Sequence, residues 1–366
     1  MKGGETNLLD SNKLRAALGA HGRLFVKQFD AEPIWNKWET LLLEKAKQKP
    51  VTRKQKPAAE PVVSVIIPVY NVAPYLRQCL DSVVNQTLYE IQILCVNDGS
   101  TDGSREILQE YADHDARMTI LDQPNRGAGA ARNAALPHIK GLYTYFADPD
   151  DWLEPDLCEK TVRRIEETSA EIVYIRYFNE ADAGQELSGA FHKDLPEVRV
   201  DSRHRKHFLL MMNSPWMKLY RTEFLLKNDI RCSEMTPYED VMMNWKACVL
   251  AEKIAVLDEA LYHYRLLRPG SAGAERRWNH ATIFGISDEI GTELKQLGKY
   301  SEYREAFLQQ RLANFFGRYV NNMTERDKPV YLSLVQGSLT CEDREFLLSE
   351  TVLDDSIREF YARIIA

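Results

Sequence analysis

Four short stretches set polar side chains where chemistry can be done. Asp148-Pro149-Asp150-Asp151 directly follows the apolar run Tyr143–Ala147. Three carboxylates in four residues repel one another. A hard divalent cation with oxygen ligands, Mg2+ or Mn2+, relieves that repulsion and normally also holds substrate phosphates. The competing reading is an acidic turn capping a helix that starts near Pro155. Asn97-Asp98-Gly99-Ser100-Thr101-Asp102 follows a second apolar run. A carboxylate there can accept from the N–H of a base or from a ribose hydroxyl, although the motif alone also reads as a capped turn. Asn125–Asn133 is rich in Gly and Ala, so its backbone can approach a ligand and a helix N-terminus can face negative charge. It has neither the Gly-Lys-Ser/Thr of a Walker loop nor the GxGxxG spacing. Finally, Tyr238-Glu239-Asp240 precedes the helical stretch Val241–Leu250. Asp240 reads either as a helix N-cap or as a base held by the helix end.

The elements around these motifs follow a repeating order. Val62–Val69 is a nearly unbroken apolar run, as a strand buried on both faces requires. Leu76, Cys79, Leu80, Val83 and Val84 then form one helical stripe. Ile91–Val96 reads as a second buried strand, and Thr101 or Asp102 as the cap of a helix carrying Ile107, Leu108 and Tyr111. Met118–Leu121 reads as a third strand, residues 130–139 as a helix, and Leu142–Ala147 as a fourth strand. Strands alternating with helices imply βαβ units on a parallel sheet, and such sheets bind ligands beyond the carboxyl ends of their strands. The motifs sit at those ends. Asn179–Gly189 reads as a loop or hairpin. The spacing predicts helices near 280–296, 302–322 and 342–365.

The bulk numbers bound the function. The chain has 366 residues, 44% hydrophobic and 28% charged, which suits one large α/β domain with additions. A net charge of −7 argues against a nucleic-acid partner. Residues 1–60 nevertheless carry 12 Lys and Arg against 7 Asp and Glu. That basic balance reads as a solvated linker or as a contact with anionic lipid headgroups. Trp35, Trp38 and Leu42 share one helical face, expected to pack on the main domain. The six cysteines show no zinc or CxxC spacing, Cys79 and Cys95 read as buried, and no apolar run approaches the ~20 residues that span a bilayer. The expectation is a cytoplasmic protein, peripheral at most to the inner face of the plasma membrane.

Together the motifs resemble the family 2 glycosyltransferases of the GT-A fold. The resemblance starts at Val63-Ser64-Val65-Ile66-Ile67-Pro68-Val69-Tyr70-Asn71 and passes through Asn85-Gln86-Thr87, Val96–Asp102, Ala131-Arg132-Asn133 and the acidic cluster. It ends in the acceptor half, at Trp216-Met217-Lys218-Leu219-Tyr220, Tyr238-Glu239-Asp240 and Leu261–Arg265. It implies a Rossmann-like, mostly parallel α/β sheet over residues 61–270, with a nucleotide half (61–150) and an acceptor half (151–270). A helical extension and linker (1–60) and a helical C-terminal region (271–366) flank it. By the same resemblance Pro68, Tyr70 and Asn71 line the base and ribose pocket, Asp98 binds the base, and Arg132 borders the nucleotide. Asp148 and Asp150 hold ribose and metal, Lys218 touches phosphate or acceptor, His263 reaches the metal, and Asp240 is the general base. The family has Ser where this chain has Pro149, which stiffens the loop but leaves its carboxylates.

The activity so implied is metal-dependent, inverting transfer of a hexosyl or N-acetylhexosaminyl group from a nucleotide diphosphate, uridine above all. The acceptor would be a hydroxyl of a glycan or lipid-linked glycan in capsule, lipopolysaccharide or another bacterial surface polysaccharide. Acceptor specificity is expected at Trp216, Tyr220 and residues 178–207, and the helical tail is expected to position acceptor or to self-associate. Two competitors fit less well. A nucleotidyltransferase needs a triphosphate loop near the first strand, and none is present. A non-catalytic binding or scaffold protein would not need Asp98, Asp148, Asp150 and Asp240 together.

Overall fold

The structure, a computed structural model, describes residues 60–181, 184–188, 202–210, 214–235, 238–266, 282–349 and 353–365. The expected helical extension at residues 1–60 lies, apart from Glu60, outside them.

Strand β1 (Val63–Val69) is buried at every position. Alternate side chains serve two cores. Val65 and Ile67 face one, together with Leu76 and Leu80 of α1 (Ala73–Val84). Ile66 faces the other, together with Ala131 of α3 (Ala128–Ala135). A Leu buried in this way contributes roughly 1.5–3 kcal/mol. β2 (Ile91–Asn97) lies parallel to β1, and β3 (Met118–Asp122) parallel to β2. On the other flank β4 (Tyr143–Phe146) is parallel to β1, ending at the pair Ile66–Phe146. That ending accommodates Pro68. Ile66 turns its carbonyl towards β4, where Ala147 N–H bonds it, and Val69 turns its carbonyl towards Asp98 N–H. Pro68 therefore points its missing N–H at the side where β4 has already stopped, and no ladder bond is lost.

The full order is β3-β2-β1-β4-β8-β6-β9-β5, with β7 (Gly184–Ser188) paired to β6 (Ile172–Ala181). β8 (Lys218–Arg221) runs antiparallel to β4 and β6, β9 (Ile254–Arg265) parallel to β6, and β5 (Trp152–Leu153) antiparallel to β9. The sheet is parallel from β3 through β4 and mixed from β8 onward. Between these strands lie α2 (Ser104–Ala112), α4 (Leu157–Thr168), α5 (Ser202–Leu210), α6 (Thr222–Lys227) and α7 (Glu239–Leu250). Within the stretch expected as a loop or hairpin, residues 179–181 of β6 pair antiparallel with residues 184–186 of β7.

The C-terminal region is helical: α8 (Thr282–Gln296), α9 (Tyr300–Asn322), α10 (Lys328–Ser338), α11 (Cys341–Leu348) and α12 (Asp355–Ile365). Two details differ from the sequence expectation. The helix expected over 342–365 is two helices. In addition, α10 was not expected, although Tyr331, Val335 and Leu339 bury one stripe; Pro329 and Gly337 dilute its helical signal. Five of the six cysteines are buried and free, and Cys341 is exposed. Among the described residues no helix is long and apolar enough to cross a membrane.

Candidate active site

The parallel strands deliver their carboxyl ends to one edge. After β1, Asn71 adopts a left-handed φ of 46°. Its Oδ1 accepts from Thr101 N–H (2.8 Å), and its own N–H donates to Ser100 Oγ (3.2 Å). Tyr70 beside it is 48% exposed, and Pro68 is buried. After β2, Asp98 is buried and accepts three bonds: from Gln123 Nε2 (2.7 Å), Arg126 N–H (2.9 Å) and Gly127 N–H (2.8 Å). Asn71 and Asp98, both expected in the nucleotide pocket, thus also fasten its walls. Gly99 has φ +74°, which side chains rarely adopt, and a Cβ there would stand a tight 3.0 Å from Asn125 N. The expected cap at Thr101 or Asp102 is replaced by Gly103, at φ 90°. Asp102 works one residue further out, accepting from Ser104 N–H (3.0 Å) and Ala73 N–H (2.9 Å).

After β4 the acidic cluster does not cap a helix: α4 begins at Leu157, and its N-cap is Asp156. Tyr262 links the cluster internally, accepting from Asp148 N–H (3.1 Å) and donating to Asp151 Oδ2 (2.8 Å). Asp151 Oδ1 accepts from Arg265 N–H (2.8 Å), and the Asp150 carbonyl from Arg265 Nε (2.9 Å). Burial, then the charges of Asp150 and Asp148, raise the Asp151 carboxyl well above the usual range. Burial likewise raises Asp148, against the opposing pull of Arg132. Buried Gln86 holds the segment from behind, donating to Glu154 O (2.8 Å) and accepting from Cys158 N–H (3.0 Å).

Arg132 joins the end of β4 to the start of α7. Its buried guanidinium donates from Nη2 to Asp148 Oδ1 (2.7 Å) and from Nη1 to Glu239 Oε1 (3.0 Å). Helix α3 can come this close because residue 129 is glycine: a Cβ there would lie 2.4 Å from Ser233 O and 2.7 Å from Glu239 Cβ. Glu239 opens α7, whose N-cap is Tyr238, so Asp240 is a first-turn residue and not the cap. Burial and the neighbouring Glu239 push the Asp240 carboxyl up to about 6, with Arg132 and Lys218 pulling the other way. Lys218 is fully buried, donates to Ser214 O (3.1 Å) and lies over the Tyr174 ring. Burial brings its ammonium down to about 8.

Beyond β4 the expectations need correction. Trp216 and Tyr220, expected at the acceptor, are 1% and 0% exposed. Trp216 stacks on Tyr262 (centroids 4.5 Å apart) and Tyr264 (5.4 Å), so it supports the site from within. Residues 189–201 of the expected acceptor segment lie outside the described residues. His263 is stacked against both Trp152 and Phe178. Its Nδ1 lies 2.7 Å from Glu180 Oε1 and its Nε2 3.1 Å from Glu154 Oε1. Both ring nitrogens face carboxylates, tying the β6–β7 hairpin to the segment after β5. Among the described residues no group of three or more His, Cys, Asp or Glu side chains converges on a cation position. The donor set at the β4 end is hard oxygen in a field of crowded carboxylates. It fits a divalent cation held by one or two carboxylates and completed by substrate phosphates. Glu239 and Gly129 stand inside motifs named from the sequence, which assigned neither a role of its own; two adjacent carboxylates opening an apolar helix were the available signal for Glu239.

With this geometry in hand, comparison with known proteins identifies the class. The family model "Glycosyl transferase family 2" matches residues 64–227. EpsH of Bacillus subtilis, whose glycosyltransferase activity is itself an inference, is 34% identical over 255 residues, 67% of this chain and 72% of that protein. Glycosyltransferase GlyA of Streptococcus pneumoniae is 36% identical over 263 residues, 68% of this chain but 37% of GlyA. The match thus spans little more than a third of that longer relative. S. aureus TarS 1–349, solved in complex with UDP-GlcNAc, superposes with a TM-score of 0.65 at 22% identity, over 78% of this chain and 83% of that one, and so shares the fold. The chain belongs to the family 2 glycosyltransferases. Asp240 and His263 lie beyond the matched span.

Proposed function

We propose that this chain transfers a sugar from a nucleoside-diphosphate donor, a uridine one above all, to a hydroxyl of a glycan or lipid-linked glycan in surface-polysaccharide synthesis. The observation that carries the reading is the buried Arg132 fork, which joins Asp148 at the donor end of β4 to Glu239, the neighbour of Asp240. A carboxylate whose pKa is about 6 is a suitable base at neutral pH. Asp240 takes the proton from the acceptor hydroxyl. The oxygen then bonds to the anomeric carbon as the bond from that carbon to the diphosphate breaks, and the nucleoside diphosphate leaves with the electron pair. One displacement inverts the anomeric centre. Positioning supplies much of the acceleration.

On this reading Pro68, Tyr70, Asn71 and Asp98 form the base and ribose wall, with Arg132 and Asp148 at its edge. Lys218, fully buried, acts through its charge on Asp240 in place of the expected contact with phosphate or acceptor. Asp150 would hold Mg2+ or Mn2+ together with the donor diphosphate, and the cation would offset charge on the leaving group. His263 joins that set only by exchanging Glu154 or Glu180 for the metal. A cytoplasmic setting at the membrane face supplies both nucleotide sugar and lipid-linked acceptor.

The test is thermal stability against UDP, GDP, CDP and their sugars, each with and without Mn2+. A ligand at 100 times its Kd stabilises by about 2.7 kcal/mol. A metal-dependent shift with one nucleotide, lost in Asp150→Ala, is the expected result. No shift with any nucleotide would sink the donor assignment and favour a non-catalytic binding protein.

A further inference from the structure

Tyr238 occupies backbone that its side chain disfavours. Its φ is +87°, the left-handed region that a bulky residue rarely enters. Such strain persists only where the surroundings over-determine it. Part of those surroundings is a C-terminal helix. Arg318, buried near the C-terminal end of α9, sets its guanidinium carbon 4.9 Å from the centroid of the Tyr238 ring. Tyr238 then accepts, through its carbonyl, the first helical bond of α7, from Val241 N–H (3.2 Å). The two residues between those bonded groups are Glu239 and Asp240.

Three further contacts converge on the same few residues. Ser233 N–H donates to Glu239 O (2.8 Å), and Ser233 Oγ donates to Glu289 Oε2 on α8 (2.7 Å). The Met235 side chain runs so close to α8 that a Cβ on Gly285 would stand 2.9 Å from its sulfur. About two turns along α7, Lys246 pairs with Glu293 of α8 (2.8 Å), and Trp245 donates to Gln310 of α9. The start of α7 is therefore held not only by Arg132 but also by α8 and α9, helices outside the family match at 64–227.

We propose that Arg318 is a positioning residue for the transfer reaction. By holding the Tyr238 ring it keeps Tyr238 left-handed and so fixes where Asp240 points. The C-terminal helices are then part of the catalytic apparatus without touching substrate. This rests on the reading of Asp240 as the base. The cation over the ring supplies the attraction, and the planar guanidinium the orientation.

The experiment uses the full chain in four forms: unchanged, Arg318→Met, Arg318→Lys and Tyr238→Gly. Glycine enters the left-handed region freely, so Tyr238→Gly removes the ring contact without requiring the strained backbone, and it covers the case in which Arg318→Met fails to fold. Two readouts are taken. The first is the split between kcat and donor KM. Arg318→Met and Tyr238→Gly are expected to lower kcat by on the order of tenfold to a hundredfold with donor KM unchanged, because a small misplacement of a reacting group is that costly. Arg318→Lys, which keeps the cation but not the plane, falls between. The second is amide hydrogen exchange at Val241 and Ser233, expected to accelerate in both variants while the core strands keep their protection. Unchanged kcat in the variants, or unchanged exchange at those two amides, overturns the positioning role. An unchanged chain that turns over no nucleotide sugar instead sinks the base assignment, and the exchange comparison still decides whether Arg318 pins this turn.

Discussion

Glu239 accepts a hydrogen bond from Arg132 at 3.0 Å although 107 positions separate them in the chain. The same guanidinium holds Asp148, so one buried cation ties a carboxylate at the end of β4 to the helix that carries Asp240. Replacing Arg132 by Met leaves two carboxylates without their partner, which typically costs about 3–5 kcal/mol. Arg132 also pulls the Asp240 carboxyl down. Arg132→Met should therefore move the acid limb of the kcat profile above its starting point near pH 6, as a pH–rate series will show. Arg132→Lys should recover little, because a single ammonium cannot serve both carboxylates with a planar fork.

Asp240 should show activity and stability in opposition. Its folded-state pKa, about 6, is raised above the ordinary value of 3.8. Between those two values the folded chain binds the extra proton, so stability falls as pH rises through that window. The penalty for the ionised carboxylate is complete above about pH 7. Asp240→Asn should then lose ~10²–10⁴ in kcat while gaining on the order of 1–3 kcal/mol in stability at pH 7.5. That gain should vanish near pH 4. Paired denaturation curves at the two pH values check it, and a variant of unchanged rate would rule out Asp240 as the base.

Gly129→Ala adds one methyl group where Ser233 O and the Glu239 side chain leave no space. Both neighbours belong to the segment leading into α7, and one of them is backbone. The expected cost is roughly 1–3 kcal/mol. The displaced Glu239 should also loosen its bond to Arg132, so kcat falls further than stability alone explains. Steady-state kinetics on folded protein, beside the melting curve, separate the two effects.

Lys218→Met keeps the volume of a fully buried side chain and removes a charge that pulls the Asp240 carboxyl down. The acid limb should again move upward, as with Arg132→Met, but Asp148 and Glu239 keep their partner. Direct titration of Asp240 by NMR would show the shift without reference to turnover. An unmoved titration would mean that water screens the two groups from each other.

The sequence is most legible where burial is simple. The unbroken apolar runs of β1 and β2 announce strands covered on both faces, and the motifs fall at their carboxyl ends because the parallel order puts them there. The site is legible as a set of positions but not as a set of jobs. Asp98 accepts three hydrogen bonds from residues 123–127, and Asn71 accepts from Thr101; neither pairing is written in local spacing. The sequence reading places acceptor specificity at Trp216, whereas stacking on Tyr262 buries it. Periodicity reports which faces are apolar. It does not report that Gly129 is a point of near contact with Glu239, nor that Tyr238 must turn left-handed, since both depend on segments distant in the chain.

The distribution of thiols has a practical consequence. Cys79, Cys95, Cys158, Cys232 and Cys248 are sealed in the interior, and Cys341 alone is exposed, at the start of α11. A maleimide dye added to the native chain should therefore attach at one place, with no cysteine removed. The neighbouring helix α9 carries Arg318, and it meets α11 through Tyr300, which donates to Glu342. The unaltered sequence thus offers a ready attachment point for a fluorophore or spin label on the helical layer that clamps α7, from which its movements during turnover can be followed.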